Sequence, residues 1–313
     1  MSKREYKTVL DPERKRLKVI RSREYGHELV IRQRVIVERF REASRRQMEW
    51  LKEIAVRYLD YSVWPASPML ILPSYYSEAR DKEVALFVAT LMPESGDIMT
   101  NISEMRAVMG EHPWIWFAER GFVTMSLGTV MKNRTGGVTN WKIAALLHRL
   151  WCENPPDSFV GTVHRIAAKK LGDSDTPFLA ALYELYNGLD IDSLNYRIRL
   201  LFMILVTSDG FGLGLWPDDT DEVRCPLTDD SRRFLETWFP DAKRYGSYDK
   251  CVHEFGFDKD HFFWYAYLGF RALEKVEPDK CAYLTKRYQR WYKNDVRVER
   301  RYWIALLPDI HFE

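Results

Sequence analysis

The 313-residue chain is 46% hydrophobic and 14% aromatic, enough apolar surface for one large core or two modest ones, which excludes a disordered or fibrous chain. Its net charge of +2 hides an asymmetry: residues 1–50 carry 15 Lys or Arg against 8 Asp or Glu, and residues 286–301 carry 7 against 2. Between residues 209 and 230 the balance reverses, with Asp209, Asp218, Asp219, Asp221, Glu222, Asp229 and Asp230 facing only Arg224.

The opening residues carry charge without an apolar run, and no later run approaches the roughly 18 residues that span a bilayer. Cys152, Cys225, Cys251 and Cys281 form no CxxC pair. These features predict a cytoplasmic protein with no membrane partner, no disulfide framework and no cysteine-held metal or cluster.

Residues 1–25 show little periodicity and read as an extended or partly ordered arm. From His27 to about Tyr61 apolar residues recur near helical spacing, with Arg32, Arg34, Arg39, Arg41, Arg45 and Arg46 between them. This predicts a long basic amphipathic helix or a broken pair, whose charged face is either solvated or bound to a polyanion. Trp64-Pro-Ala-Ser-Pro68 breaks it, and Leu70 to Tyr76 reads as a linker. A helix follows over Asp81–Met92, with acidic residues in its first turn and Pro93 at its end. Asp97–Gly110 is the next, and Trp114, Trp116 and Phe117 form an aromatic knot after Pro113.

Asn133-Arg-Thr-Gly-Gly-Val138 is an exposed turn. Thr139 or Asn140 then caps a helix through Cys152, and another runs over 157–171. His148 and Cys152 share a face, with His164 one helix away, but nothing completes a metal-ligand set, and packing is the better account. Thr176 is the predicted N-cap of a helix with Pro177 at its first position, ending at Asn187-Gly188. Asp190 to Ser193 opens an apolar helix through Val206.

The Gly210-Phe-Gly-Leu-Gly214 run lacks the preceding strand and the Gly-Lys-Ser/Thr ending of a phosphate loop, so a nucleotide P-loop is rejected. It reads as a tight link between helices, with amides available to a DNA phosphate. Thr228 and Asp229 are good cap residues, and Asp230 falls in the first turn of the helix that follows. Helices over 247–255 and 258–276 come next, the second too apolar for anything but a central place. A last basic helix over 278–293 mixes Arg287, Arg290 and Lys293 with Tyr288, Trp291 and Tyr292. Helix following helix without βαβ alternation predicts an all-α fold. Its divisions are a basic arm and helix (1–62), a helical core (63–277) and a basic C-terminal helix and tail (278–313).

The block Asp209-Gly-Phe-Gly-Leu-Gly-Leu-Trp216, then Cys225-Pro-Leu227 and Arg233, preceded by Leu201-Phe-Met, resembles a poorly characterised bacterial family distantly related to the helix-hairpin-helix DNA glycosylases. Tyr265-Ala-Tyr-Leu-Gly-Phe-Arg resembles that family's penultimate helix. Asp81 to Leu91, after Leu70-Ile-Leu-Pro, resembles its opening helix, so the likeness covers most of residues 65–275. The resemblance implies a two-lobed glycosylase-like helical fold with basic N- and C-terminal extensions and a place in DNA repair. Duplex DNA would be held by its phosphates while a base is flipped into a cleft.

In that superfamily an aspartate follows the Pro-Leu-like turn and stabilises charge developing on the sugar. Here Thr228 takes that position, and the histidine two residues later in the family's turn is Asp230. The carboxylate role therefore falls to Asp230 or Asp229; Asp230-Ser-Arg also resembles the turn of archaeal oxoguanine glycosylases. The lysine position holds Arg197, which cannot form a Schiff base, so an active protein would be a monofunctional glycosylase without lyase activity. Arg197, Arg199, Arg232, Arg233, Arg287, Arg290 and Lys293 are the candidate DNA contacts. Tyr288, Trp291 or an aromatic of the Phe262–Tyr267 run would stack on a base, and neither cofactor nor metal is implied. The altered positions equally suit a second reading, a non-catalytic scaffold or interaction protein that kept the fold and binds a protein or nucleic-acid partner.

Overall fold

A computed structural model of the chain describes residues 6–11, 16–21, 67–116, 134–151, 158–172, 174, 176–207, 212–216, 222–238, 248–249, 252 and 262–291. The predicted basic helix over 27–61 lies outside them, as do Cys152, Asp209, Gly210, most of the predicted helix over 247–255, and Lys293.

The described residues are mainly helical. The exceptions include the first segment, where the arm read as extended or partly ordered forms two paired strands. Strands β1 (Tyr6–Asp11) and β2 (Arg16–Arg21) pair antiparallel, with Tyr6 opposite Arg21 and Asp11 opposite Arg16. Each carries two adjacent β-branched residues, Thr8-Val9 and Val19-Ile20, which favour pairing but are too short to show a period.

The second correction is the linker at Leu70. It is a helix, α1 (Pro68–Ser74), with Pro68 at its first turn, where a missing amide costs nothing, and Pro73 only at its end. Met69, Ile71 and Leu72 of α1 are buried. They pack on α2 (Ala79–Ala89), in which Val84 to Ala89 are all buried. Next come α3 (Ile98–Met109), capped by the Asp97 carboxylate on the Thr100 amide at 3.0 Å, and the four-residue α4 (Pro113–Trp116).

The Gly-Gly turn closes a short ladder, β3 (Arg134–Thr135) with β4 (Val138–Thr139), through positive φ at Gly136 and Gly137. Two such residues make the mirror-image turn that suits strand twist. A side chain at Gly136 would meet the Asn101 carbonyl and the Met105 side chain at 2.6 Å, so the turn is also pressed against α3.

Helices α5 (Asn140–Trp151), α6 (Phe159–Ala168) and α7 (Pro177–Tyr186) follow, and each packs on the other two. Helix α8 (Leu194–Val206) packs on α7 and is apolar on every side from Leu200 on, with Ile198 and Leu200 to Val206 all buried. After it come α9 (Asp229–Trp238), α10 (Phe262–Val276) and α11 (Pro278–Trp291), which pack mutually. The central place expected for α10 is what the structure gives: Phe263, Trp264, Ala266, Tyr267, Leu268, Ala272 and Leu273 are buried. Helix α11 is docked through the buried Cys281, so its described part sits on the core. Among the described residues no helix is long and apolar enough to cross a membrane.

Candidate functional site

The glycine-punctuated link after α8 folds back on the helix that precedes it. The amides of Leu213 and Trp216 donate to the carbonyls of Ile204 (2.7 Å) and Leu205 (2.9 Å), and Gly214 N donates to Thr207 O at 2.7 Å. These bonds satisfy carbonyls that the helix end leaves open. Gly212 permits the approach, because a Cβ there would sit 2.1 Å from the Thr207 carbonyl oxygen. The link delivers Trp216 onto Phe202, Phe178 and His164, with ring centroids 5.6, 5.1 and 4.5 Å away. The Leu213 and Gly214 amides, which the sequence offered to a DNA phosphate, are therefore spent on the protein's own backbone. His164, one of the metal candidates, lies against aromatic rings, and among the described residues no three His, Cys, Asp or Glu side chains gather as a metal would require.

Beyond Cys225-Pro-Leu227, Thr228 caps α9. Its hydroxyl accepts from the Ser231 amide at 3.1 Å, while Ser231 Oγ accepts from the Thr228 amide at 2.8 Å, a reciprocal capping box. Asp229 and Asp230 thus occupy the first turn, where the helix dipole favours negative charge. Neither carboxylate is needed as the cap. Asp229 pairs with Arg232 at 3.3 Å and Asp230 with Arg233 at 3.4 Å, each one turn along the same helix. Their side chains are 85% and 48% exposed.

These residues line an open hollow of about 620 Å³ together with Ser193, Asn195, Tyr196, Arg199 and Asp249. Arg199 forms its inner wall, donating Nη1 and Nη2 to the two Asp249 oxygens at 2.5 and 3.0 Å and Nη1 to the Cys225 carbonyl at 3.3 Å. Burial works against the Arg199 charge, but the Asp249 carboxylate and the Tyr183 hydroxyl outweigh it and hold the pKa above its ordinary value. The hollow therefore brings together five predicted site residues, Arg199, Asp229, Asp230, Arg232 and Arg233. Each of these arginines already faces a carboxylate.

Arg197 is elsewhere. It is only 4% exposed and donates Nη1 to the carbonyl of Thr90 at 3.0 Å and to that of Met92. It closes the C-terminal end of α2, so a phosphate contact from Arg197 is not available in this fold. The buried aromatics Phe263, Trp264 and Tyr267 are likewise core residues and cannot stack on a base; the side chains of Phe262, Tyr265, Tyr288 and Trp291 lie outside the described residues.

The predicted cations of α11 are placed differently. Tyr283, Lys286, Arg287 and Arg290 follow the 3–4 spacing of one helix stripe, all exposed, and Tyr283 is 62% accessible. Among the described residues no hydrogen bond or ion pair engages the three cations. Lys286 and Tyr283 were not singled out from the sequence, although their spacing from Arg287 and Arg290 was there to be read.

The sequence also passed over a set of carboxylates, two of them buried, that hold helix ends at long range. Asp81 on α2 accepts from the Trp114 amide of α4 at 2.9 Å and meets His112 Nδ1 at 3.2 Å. Glu83, one face further round, accepts from the Val160 amide at the start of α6. Burial pushes the Glu83 carboxyl up to about 7, against the lowering effect of that amide and of Arg80. Glu222 accepts from the amides of Phe178 (2.9 Å) and Leu179 (3.2 Å) and so caps α7, a role the sequence had assigned to Thr176. Thr176 occupies the N-cap position without a side-chain cap bond.

The described residues make a mainly helical protein with an acid-and-arginine pocket and, on a helix packed against α9, an exposed basic stripe. No protein-family model, no curated protein and no solved structure matches the chain.

Proposed function

We propose that this protein binds nucleic acid through the phosphate backbone, using α11 as the contact. The observation that carries the reading is the stripe of Lys286, Arg287 and Arg290 with Tyr283, exposed and without a carboxylate partner among the described residues. Every other described candidate arginine is bonded to a protein carbonyl or carboxylate. Unpaired cations release condensed counterions from a polyanion, and an exposed aromatic offers a stacking platform to an unpaired base. Helix α11 packs on α9, so the stripe's helix adjoins the helix that carries Asp229 and Asp230.

The glycosylase reading rests on the hollow. Asp230 lines a space of about 620 Å³, within the range that holds a small ligand or an extruded base. Arg199, Arg232 and Arg233 in the same lining face Asp249, Asp229 and Asp230, so in this reading the phosphates flanking the base fall to the α11 stripe. A helix-hairpin-helix glycosylase-like arrangement, with α8 and α9 as its central pair, belongs to this proposal.

The test is a salt titration of duplex and single-stranded DNA binding, with a glycosylase panel on damaged duplexes in parallel. Replacing Lys286, Arg287 and Arg290 by Ala should reduce the log–log salt slope by roughly one for each phosphate no longer neutralised. Asp230→Asn should abolish base excision and leave DNA binding in place. No affinity for DNA, or affinity indifferent to salt, sinks the whole reading; binding with silence across the panel favours the non-catalytic scaffold.

A further inference from the structure

A second hollow, of about 540 Å³, opens between α5, α6 and α7 and shares no residue with the one beside Asp230. Its volume lies in the range of small-ligand pockets. Leu150, Ile166, Ala180 and Leu185 give it an apolar floor, and Arg149, Arg165, Lys169 and Lys170 form its charged wall. Glu184 is the one carboxylate among its described lining residues.

The cations are not equivalent. Lys170 is held by Glu184 at 2.5 Å. Arg149 is fixed in place by the end of α7: its Nη1 donates to the carbonyls of Leu185 at 2.7 Å and Asn187 at 2.5 Å. Its Nε and Nη2 have no acceptor among the described residues. Arg165 donates Nη2 to Thr162 Oγ1 at 3.1 Å, and its Nε and Nη1 are likewise without one. Ser174 Oγ accepts from the Thr176 amide at 3.1 Å and keeps its own proton to donate.

Cations at helix C-termini answer the dipole, and that accounts for Arg149 and Arg165 in the last turns of α5 and α6 as it does for Lys169 and Lys170 just past α6. What the dipole does not require is that the two guanidiniums, from different helices, line one hollow over an apolar floor with N–H groups unspent. A guanidinium already immobilised by carbonyls loses little further freedom when an anion binds, and its planar fork matches phosphate oxygens.

We propose that this hollow is a binding site for a small organic phosphate ester. The phosphate is held by Arg149 and Arg165, Lys169 adds charge, and the carbon skeleton lies on Leu150, Ile166 and Leu185. The site is separate from the α11 stripe and does not depend on the nucleic-acid reading.

Calorimetry on the full chain with inorganic phosphate, phenyl phosphate, AMP and a short oligonucleotide tests it. An ester should bind more tightly than inorganic phosphate, because only the ester reaches the floor. Arg165→Ala with Lys169→Ala should weaken the ester by about tenfold or more, the worth of one charge-assisted hydrogen bond. Glu184→Gln removes the opposing carboxylate and should tighten it severalfold, a gain that misfolding cannot produce. Replacing Lys286, Arg287 and Arg290 by Ala should leave ester binding unchanged. The proposal is overturned if neither ester binds at millimolar concentration, if inorganic phosphate binds as well as the esters, or if ester affinity ignores the changes at Arg165, Lys169 and Glu184. Binding of the oligonucleotide alone overturns it too, since the hollow would then belong to a polynucleotide surface.

Discussion

Acidic residues open both α2 and α9, and the two helices use them in opposite ways. On α9 the carboxylates of Asp229 and Asp230 reach solvent and the arginines of their own helix, and the cap is made by Thr228. On α2 the carboxylates of Asp81 and Glu83 are buried and bind the first amides of two other helices, while the far end of α2 is closed by Arg197 from α8. An exposed acid whose neighbours are all local can be changed at little cost to the fold, which leaves it open to another role. A buried acid that satisfies a distant helix end has its role already.

The contrast is sharpest in stability. Arg197→Met should be the most damaging change, since it leaves the carbonyls of Thr90 and Met92 buried without donors. A loss of about 3–5 kcal/mol in a chemical denaturation curve is expected. A loss under about 1 kcal/mol would break the comparison at its strongest point.

Glu83 gives the next effect, through pH. Its native carboxyl titrates near 7 against an ordinary value of 4.5. Below about 4.5 the group is protonated in both states, and the native fold keeps its full contribution. Between about 4.5 and about 7 the native state holds its proton more tightly than the unfolded chain does, so stability falls as pH rises, by a few kcal/mol at most. Above about 7 this contribution is flat. Glu83→Gln keeps an acceptor for the Val160 amide and should remove that slope, measured as urea stability at pH 4.5 and pH 7.5.

The smallest effects belong to α9. Thr228→Ala should cost about 1 kcal/mol, the worth of an N-cap. Asp229→Asn and Asp230→Asn should each stay within about 0.5 kcal/mol, because exposed pairs one turn apart contribute little. Thermal unfolding of the three variants ranks them. An Asp change that destabilises more than the Thr228 change would show that the carboxylates are structural after all.

Much of the helix inventory was legible because its signals are local. Asp97 before α3, Pro177 at the start of α7, Gly188 after it with φ +74°, and the apolar run of α8 all act within a few residues of where they stand. The acids of α2 were legible only as first-turn residues favoured by the dipole. Their partners lie 33 and 77 residues away, and no spacing rule connects them. Arg197 was misplaced for the same reason: a cation on an apolar helix looks available until the carbonyls of Thr90 and Met92, more than 100 residues earlier, are brought against it. The Asp230 hollow was half legible, since Arg199, Asp229, Asp230, Arg232 and Arg233 fall in it, while Asn195 and Tyr196, on α8 with Arg199, carry no signal of their own and Asp249 comes from another part of the chain. The hollow between α5, α6 and α7 was not legible, because its cations lie on two helices and read singly as solvated charge.

The bond from Arg197 to the Thr90 carbonyl spans 107 residues. At ribosomal speeds of roughly 5–20 residues per second, α2 leaves the exit tunnel about 5–20 s before the side chain that closes it. During that interval the Val84–Ala89 face has no finished core to enter, and it is a natural place for a chaperone to hold the nascent chain. Stalled chains should accordingly show protease-sensitive α2 until residues well past Arg197 have emerged, and protection only afterwards.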